Sequence, residues 1–269
     1  MLLFSLDSRA LTILSSYHHN ADTSQHLDTV MNIAITNQKG GVGKTTTAVN
    51  LAAALAERGL QTLLLDLDSQ ANATANLQVP ADQGSVRELI GGERPHIYAT
   101  GTPNLSMIPA TVDLAGAETY LAKSADAEIL KRALEPLEKR FDYVIFDCPP
   151  ALGQLTIAAL VAADYAIVPM EAGIWEMQGL VRLMEVLERT DTKLLGILLT
   201  RYDKRLGISA DTHNQLTKSE LPLFNVKISE RVAAKYAAIA GQSIIAHNPT
   251  SDIAQQYRLL AKEVVKYAP

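Results

Sequence analysis

The stretch that decides the fold is Met31-Asn32-Ile33-Ala34-Ile35-Thr36-Asn37-Gln38-Lys39-Gly40-Gly41-Val42-Gly43-Lys44-Thr45-Thr46. It begins as a short apolar strand and runs through a glycine-rich turn into residues with a helical pattern. The glycines let backbone N–H groups converge on phosphate oxygens, and the helix N-terminus adds its positive dipole end. The pattern therefore predicts a nucleotide-binding loop, with Lys44 near the β- and γ-phosphates and the Thr45 hydroxyl on Mg²⁺.

The first half of this loop departs from the common pattern GxxxxGK[ST], because Gln38 stands at its first glycine position. Lys39 follows directly. A lysine at the start of the loop cannot readily reach the γ-phosphate of its own nucleotide, because the chain runs past it. Lys39 therefore calls for a different explanation from Lys44.

Strand-like and helix-like segments alternate along the rest of the chain. The predicted strands are Thr62–Asp66, Leu105–Ile108, Tyr143–Asp147, Tyr165–Met170 and Leu194–Thr200. The predicted helices are Thr45–Arg58, Glu128–Arg140, Leu155–Ala162, Met177–Arg189, Asp211–Ser219, Glu230–Ala240 with Ser229 as its cap and Gly241 at its end, and a last helix from Ser251 to about Tyr267. This alternation predicts an α/β fold, a mainly parallel twisted sheet with helices on both faces.

The predicted domain organisation is one domain over residues 31–269, because no repeat or low-complexity linker interrupts the pattern. Residues 1–30 show no apolar periodicity, so we expect an N-terminal extension that is poorly ordered or not translated, with Met31 as a candidate start.

Acidic residues follow two of the predicted strands. Asp66 and Asp68 stand at the carboxyl end of one strand, the edge where ligands of open α/β sheets bind. One of them could instead cap the helix that follows. Asp147 ends the apolar strand Tyr143–Asp147, as in a Walker B segment, and is predicted to hold Mg²⁺ through water.

Composition limits the classes of protein that fit. Cys148 is the single cysteine, which excludes an intramolecular disulfide and a CxxC metal site and favours the cytosol. The N-terminus lacks the basic residues of a secretory signal, and no apolar run has the length of a membrane span. Residues 190–269 carry 11 Lys and Arg against 7 Asp and Glu, whereas residues 1–189 carry 13 against 22. This asymmetry permits a basic face in the C-terminal third.

Taken together, Lys39 and the loop from Gly40 to Thr45 resemble the KGGxGK[ST] signature of the ParA/MinD family of deviant Walker ATPases. The resemblance implies that Lys39 crosses an ATP-bridged dimer to the nucleotide of the opposite subunit. It also implies that Asp68 positions or deprotonates the attacking water and that Asp66 supports the Mg²⁺ hydration shell. The family reads D-x-D-P-Q-x-N-A-T here, and this chain has Ser69 at the proline position.

Two further stretches narrow the resemblance to short, Soj-like ParA proteins. Ile108–Thr111 and Leu114–Glu118 resemble their I-P-A-T-x-x-L-A-G-A-E segment. This resemblance implies an ATP- and Mg²⁺-dependent ATPase that forms a homodimer on ATP, binds DNA non-specifically and partitions DNA with a ParB-like activator. It also implies a cytoplasmic, nucleoid-associated protein. Since nothing in the sequence resembles an arginine finger in cis, slow unstimulated turnover is expected.

The segment for adenine and DNA contacts matches the family less closely, because residues 228–234 replace the family's I-P-R-N-V-R-L stretch. The resemblance places Ser229 and Arg231 near the base, whereas Ala233 lacks the basic side chain that would contact DNA. Arg231 or Lys235 could replace that side chain, and Arg205 matches another DNA-contacting arginine of the family.

Two other functions stay open: a MinD-like ATPase that acts at the membrane surface, and a ParA-like ATPase that positions a protein cargo. The last predicted helix carries an apolar stripe, Ile253, Tyr257, Leu260 and Val264, which we predict to be packed core rather than a membrane anchor. A single cysteine does not supply the cluster ligands of a nitrogenase-type iron protein. Thr200–Asp203 does not match the NKxD motif of a GTPase.

Overall fold

A computed structural model describes residues 30–124, 126–173, 176–230 and 232–267. The predicted extension lies outside these residues except for Val30. The strands of the described part are β1 (Met31–Ile35), β2 (Thr62–Asp66), β3 (Tyr98–Ala99), β4 (Leu105–Ile108), β5 (Tyr143–Asp147), β6 (Tyr165–Glu171) and β7 (Lys193–Thr200).

These seven strands form one sheet in the order β3-β4-β2-β5-β1-β6-β7. Every pairing is parallel except that of β3 with β4. The chain crosses from one side of β1 to the other between β5 and β6, which opens a crevice at the carboxyl end of β1, where ligands of such sheets bind. The predicted fold class is confirmed.

The helices cover both faces of this sheet. They are α1 (Lys44–Glu57), α2 (Asn72–Asn76), α3 (Val86–Ile90), α4 (Leu114–Ser124), α5 (Ile129–Leu134), α6 (Gln154–Ala162), α7 (Glu176–Thr190), α8 (Gly207–Lys218), α9 (Val232–Ile239), α10 (Ile244–His247) and α11 (Asp252–Tyr267). Successive strand residues point to opposite faces, so Leu63 and Leu65 enter one core cluster and Leu64 the other. The first cluster packs under α4 to α7, and the second under α1 and α11.

The apolar stripe of α11 lies in the second cluster, as predicted. Ile253, Tyr257, Leu260 and Val264 are buried among the alanines and leucines of α1. Ser251 caps this helix, since its hydroxyl accepts a hydrogen bond from the Ala254 N–H at 3.3 Å. No helix in the described ranges is both long and apolar enough to span a membrane.

Several predicted helix bounds were wrong for identifiable reasons. The predicted helix Glu128–Arg140 ends at Leu134 and is followed by a short 3₁₀ turn, Glu138–Arg140, because Pro136 lacks an N–H group and its ring clashes with the preceding turn. The helix predicted from Asp211 already begins at Gly207. The helix α9 begins at Val232, so Ser229 lies three positions before it and not at its cap; the Ser229 N–H and hydroxyl both donate to Gln256 Oε1. The strand β3 and the helices α2, α3, α4 and α10 were not predicted from the sequence.

Candidate nucleotide-binding site

The glycine-rich loop between β1 and α1 has the conformation that its sequence predicts. Gly41 and Gly43 have φ angles of 79° and 88°, a left-handed region that side-chain-bearing residues rarely adopt. Gly43 directly precedes α1 and, as a glycine, has no side chain to cap the first N–H groups of the helix. The N-terminus of α1 therefore retains donors for an anion.

Lys44 is folded back over this loop. Its ammonium donates a hydrogen bond to the Lys39 carbonyl at 3.0 Å, and the side chain is buried. Burial lowers the pKa of Lys44, while the nearby carboxylate of Asp147 acts in the opposite direction. The Lys39 side chain, in contrast, is exposed at the mouth of the loop.

Strands β6 and β7 support the loop from one side. The Thr200 hydroxyl, at the end of β7, donates to the Val42 carbonyl at 2.8 Å. Asn37 donates from its side-chain amide to the Pro169 carbonyl at 2.8 Å and accepts from the Lys39 N–H at 3.0 Å. The loop is thus fixed by side chains from segments far apart in sequence.

Asp147 lies buried beneath this loop. Neither of its carboxylate oxygens has a well-aligned hydrogen-bond partner among the described residues, although the Thr45 hydroxyl lies close. Burial, and next the neighbouring Asp66, raise the pKa of Asp147, and the Thr45 hydroxyl and Lys44 lie close enough to offset this only in part. A buried carboxylate without a donor is costly unless a cation approaches it.

A magnesium ion fits this arrangement. Asp147 supplies two buried oxygens without partners, and Thr45 supplies a hydroxyl at the start of α1. No group of three or more His, Cys, Asp or Glu side chains among the described residues is arranged to hold a metal. Mg²⁺ is usually coordinated by one or two protein groups together with substrate phosphates and water.

The two acids after β2 differ in their surroundings. Asp66 is buried and accepts hydrogen bonds from the Thr74 N–H at 2.9 Å, the Thr74 hydroxyl at 2.8 Å and the Asp68 N–H at 3.2 Å. Burial raises its pKa to about 6. Of these contacts, the one with the Thr74 N–H satisfies a donor in the first turn of α2, as the helix-capping alternative expects. A role of Asp66 in the Mg²⁺ hydration shell stays a prediction. Asp68 is partly exposed and faces the cavity described next.

A cavity of about 690 Å³ opens above the loop. Its lining includes the predicted residues Gly40, Gly41, Gly43, Lys44, Thr45, Thr46 and Asp68. An apolar wall is formed by Ala75, Ile228, Ala234, Ala238, Ile239, Ile253 and Tyr257. The loop and Lys44 suit the phosphates of a nucleotide, and the apolar wall suits its base.

Of the two residues predicted near the base, Ser229 lines this cavity and Arg231 lies outside the described residues. Lys235, predicted as a DNA contact, also lines the cavity. The apolar wall was not predicted from the sequence, and neither was Arg201, which lines the cavity from the end of β7. Arg201 forms ion pairs with Glu171 at 2.7 Å and Glu230 at 3.8 Å. Its position directly after a buried strand was the available signal.

A second cavity, of about 780 Å³, adjoins the first. The two share Arg201, Ser229, Glu230 and Lys235. The basic side chains lining the second cavity are Arg201, Lys204, Arg205, Lys227 and Lys235, and the acidic ones are Asp203 and Glu230. Arg205, predicted to contact DNA, is highly exposed and pairs with Asp203 through its Nε and terminal nitrogens.

Comparison with known proteins agrees with this site. The family described as the AAA domain matches residues 30–198. The sporulation initiation inhibitor protein Soj of Bacillus subtilis is 42% identical over 245 residues, which cover 86% of this chain and 97% of that protein. The chain belongs to the Soj and ParA family of P-loop ATPases.

Further members and neighbours of the Soj and ParA family support the assignment. The chromosome-partitioning ATPase Soj of Thermus thermophilus is 41% identical over 243 residues, 88% of this chain and 96% of that protein. The septum site-determining protein MinD of Pyrococcus horikoshii, solved with Mg-ADP, matches with a TM-score of 0.75 and 27% identity over 89% of this chain and 97% of that one. As a Soj and ParA family member with this loop and these acids, the chain is an ATP hydrolase that uses ATP and Mg²⁺.

Proposed function

We propose that this ATPase is a nucleotide-controlled DNA-partitioning switch. In the ATP state it forms a homodimer, binds DNA without sequence preference on the nucleoid and, with a ParB-like activator, drives DNA segregation. The Soj and ParA relatives support this proposal through their partitioning names. The assignments of dimerisation, DNA and activator are part of the proposal.

The observation that carries the proposal is the wall shared by the two cavities. Arg201 and Lys235 line both the cavity with the phosphate-binding loop and the cavity with five basic side chains. A change in what fills the first cavity therefore acts on side chains of the second. Basic side chains around a groove attract the phosphate backbone of DNA regardless of sequence.

Each residue of the nucleotide site has a proposed role. The N–H groups of the loop and Lys44 bind the triphosphate, and Thr45 and Asp147 hold Mg²⁺, with Asp66 supporting its hydration shell. Mg²⁺, when bound, neutralises charge on the phosphate oxygens. Asp68, which lies in the cavity wall, orients the attacking water, and Lys39 extends from the exposed mouth of the loop to the nucleotide of a second subunit.

The need for an activator follows from the positions of the arginines. Arg201 lines the nucleotide cavity, but Glu171 and Glu230 hold its guanidinium in ion pairs. An arginine that reaches the transferred phosphate raises turnover by about 10³–10⁵-fold. We therefore propose that unstimulated turnover is slow and that a partner protein accelerates it.

The decisive experiment measures DNA binding in three nucleotide states. The protein is sedimented with a DNA fragment of arbitrary sequence in the presence of Mg-ATP, Mg-ADP or no nucleotide. We expect the protein to bind DNA only in the presence of Mg-ATP. Its affinity for DNA should decrease as the salt concentration rises. Lys235→Ala should weaken binding and reduce the slope of log K against log salt by about 1 if that lysine contacts one phosphate.

Lys193 provides the matched control, because it is an exposed lysine at the amino end of β7, the sheet edge opposite the basic cavity. Lys193→Ala should bind DNA like the parent. Equal binding in all three nucleotide states, or no DNA binding at about 50 mM salt, where such contacts are strong, would refute the partitioning proposal.

A further inference from the structure

Glu118, in the middle of α4, makes a contact that its place in the sequence does not suggest. Its carboxylate accepts hydrogen bonds from the N–H groups of Gln154, at 2.8 Å, and Leu155, at 3.3 Å. Those residues are the first two of α6, which has no side-chain cap of its own at Gly153. A carboxylate from another helix thus satisfies the unpaired N–H groups and faces the positive end of the α6 dipole.

Gly153 leaves the space that this carboxylate occupies. A Cβ atom at Gly153 would lie 2.6 Å from Glu118 Oε1 and 3.0 Å from Oε2. The backbone of Gly153, with φ −80° and ψ −176°, is open to any residue. Glycine is therefore needed here for the contact with Glu118 and not for the backbone conformation.

The start of α6 determines the course of the loop of residues 148–153, which connects Asp147 to that helix. At one end, the Cys148 N–H donates to the Ile35 carbonyl at 3.2 Å. At the other, the Thr156 hydroxyl donates to the Ala151 carbonyl at 2.6 Å. Pro150, between these two anchors, lines the nucleotide cavity. A shift of the first turn of α6 therefore moves the cavity wall next to Asp147.

The segment that leads into α4 is tied to the other acid-bearing loop. The Ala110 N–H donates to the Thr74 hydroxyl at 2.9 Å, and that hydroxyl donates to Asp66 at 2.8 Å. The loop after β2 and the loop after β5 are consequently both attached to the stretch from Ala110 to Glu118. This stretch contains the last two residues of the I-P-A-T segment and all five of the L-A-G-A-E segment.

We propose that Glu118 is a positioning residue for ATP hydrolysis, which acts by fixing the N-terminus of α6 and with it the loop of residues 148–153 at the nucleotide cavity. The inference depends on ATP hydrolysis alone and is independent of any DNA binding. A displacement of about 1 Å in the residues that line a catalytic site can lower the rate by up to about 100-fold. Glu118 thus affects turnover without touching the nucleotide.

A double-mutant cycle between Glu118 and Gly153 tests this proposal. Basal turnover at saturating Mg-ATP is measured, together with the Kd of Mg-ADP and the Tm, for Glu118→Ala, Gly153→Ala and the double variant. Each single variant should lose about tenfold in turnover with a small change in Kd, since the loop moves while the phosphate-binding residues stay in place. The double variant should turn over like Glu118→Ala, because the methyl group then meets no carboxylate.

Two further variants separate positioning from simple stabilisation. Glu118→Gln keeps one acceptor oxygen and should recover part of the turnover. Gly116→Ala places a methyl group on the same helix where no atom lies within 4 Å, so it should leave turnover unchanged. Should Glu118→Ala not fold, Gly153→Ala alone tests the contact from its other side.

The results that would overturn the proposal are equally specific. One is a turnover of Glu118→Ala or Gly153→Ala that stays within about twofold of the parent, because a difference of that size is no larger than the deviation from additivity seen between unrelated sites. Another is a double variant whose loss equals the product of the two single losses, which would mean that the two positions act independently.

Discussion

Among the individual side chains of the site, Asp147 has the most costly surroundings. It is buried, and neither of its oxygens receives a hydrogen bond from the described residues. Its raised pKa has burial as the main cause and Asp66 as the second. This arrangement destabilises the nucleotide-free protein, and it favours the binding of a cation that neutralises the carboxylate.

Asp147→Asn should therefore stabilise the nucleotide-free protein while impairing hydrolysis. The expected gain at pH 7.5 is about 1–3 kcal/mol, because the neutral amide does not bear the cost of a charge buried next to Asp66. Because the folded pKa of Asp147 lies above the unfolded value, the folded parent binds a proton more tightly, and its stability decreases as pH rises above the ordinary carboxyl pKa. The gain should thus shrink as pH is lowered toward about 4.

Denaturant unfolding of parent and variant at both pH values measures this difference. Asp142→Asn is the control, since Asp142 is exposed at the opposite end of β5 and its carboxylate accepts a hydrogen bond from the Gln61 N–H at 2.7 Å. It should give no gain. A pH-independent gain for Asp147→Asn would contradict the electrostatic explanation.

At the level of strands and helices, β7 supports the phosphate-binding loop through one hydroxyl. Thr200→Val removes the donor to the Val42 carbonyl and keeps the shape of the side chain. We expect a loss of about 1–3 kcal/mol in stability and a roughly three- to tenfold weaker affinity for Mg-ADP, because the loop loses a buried hydrogen bond. Titration with a fluorescent ADP derivative measures the second effect.

Thr62→Val is a matched control for this change. Thr62 is also buried, and its hydroxyl also donates to a backbone carbonyl, that of Leu60 at 3.0 Å, but it lies at the amino end of β2. It should lower stability and leave nucleotide affinity unchanged. Equal losses of affinity in both variants would show that the effect comes from general destabilisation.

Some of these strands and loops could be predicted from the sequence alone, and others could not. Strands such as Thr62–Asp66 and Tyr143–Asp147 were predicted at their observed bounds, because apolar runs that end in a polar residue are local signals. The glycine-rich loop was predicted for the same reason. The apolar wall formed by Ile239, Ile253 and Tyr257 was missed as part of the site, because tertiary packing brings it there from about 200 residues away.

The acids after β2 illustrate a second limit. Spacing placed Asp66 and Asp68 at the same sheet edge, but it did not distinguish the residue that faces the cavity from the one that is buried. That distinction depends on Thr74, whose N–H and hydroxyl hold Asp66. Arg201 was likewise missed, since only the folded chain shows that it lines both cavities.

For the protein as a unit, the proposed switch requires that two subunits share their nucleotides. Lys44 and Lys39 belong to the same loop, yet Lys44 is buried against the Lys39 carbonyl, whereas the Lys39 side chain is exposed. This difference predicts different defects. Lys44→Ala should abolish nucleotide binding, because a buried cation for the phosphates is lost. Lys39→Ala should bind nucleotide like the parent but stay monomeric with ATP.

Sedimentation velocity with a non-hydrolysable ATP analogue and Mg²⁺ distinguishes the two defects, alongside a nucleotide titration of each variant. The parent and Lys193→Ala should sediment as dimers with the analogue and as monomers with ADP. Lys39→Ala should sediment as a monomer in both states while its nucleotide affinity is retained. If Lys39→Ala dimerised with parental affinity, the exposed lysine would have no part in joining the subunits, and ATP would have to control the basic cavity within one chain, through the wall that contains Arg201 and Lys235.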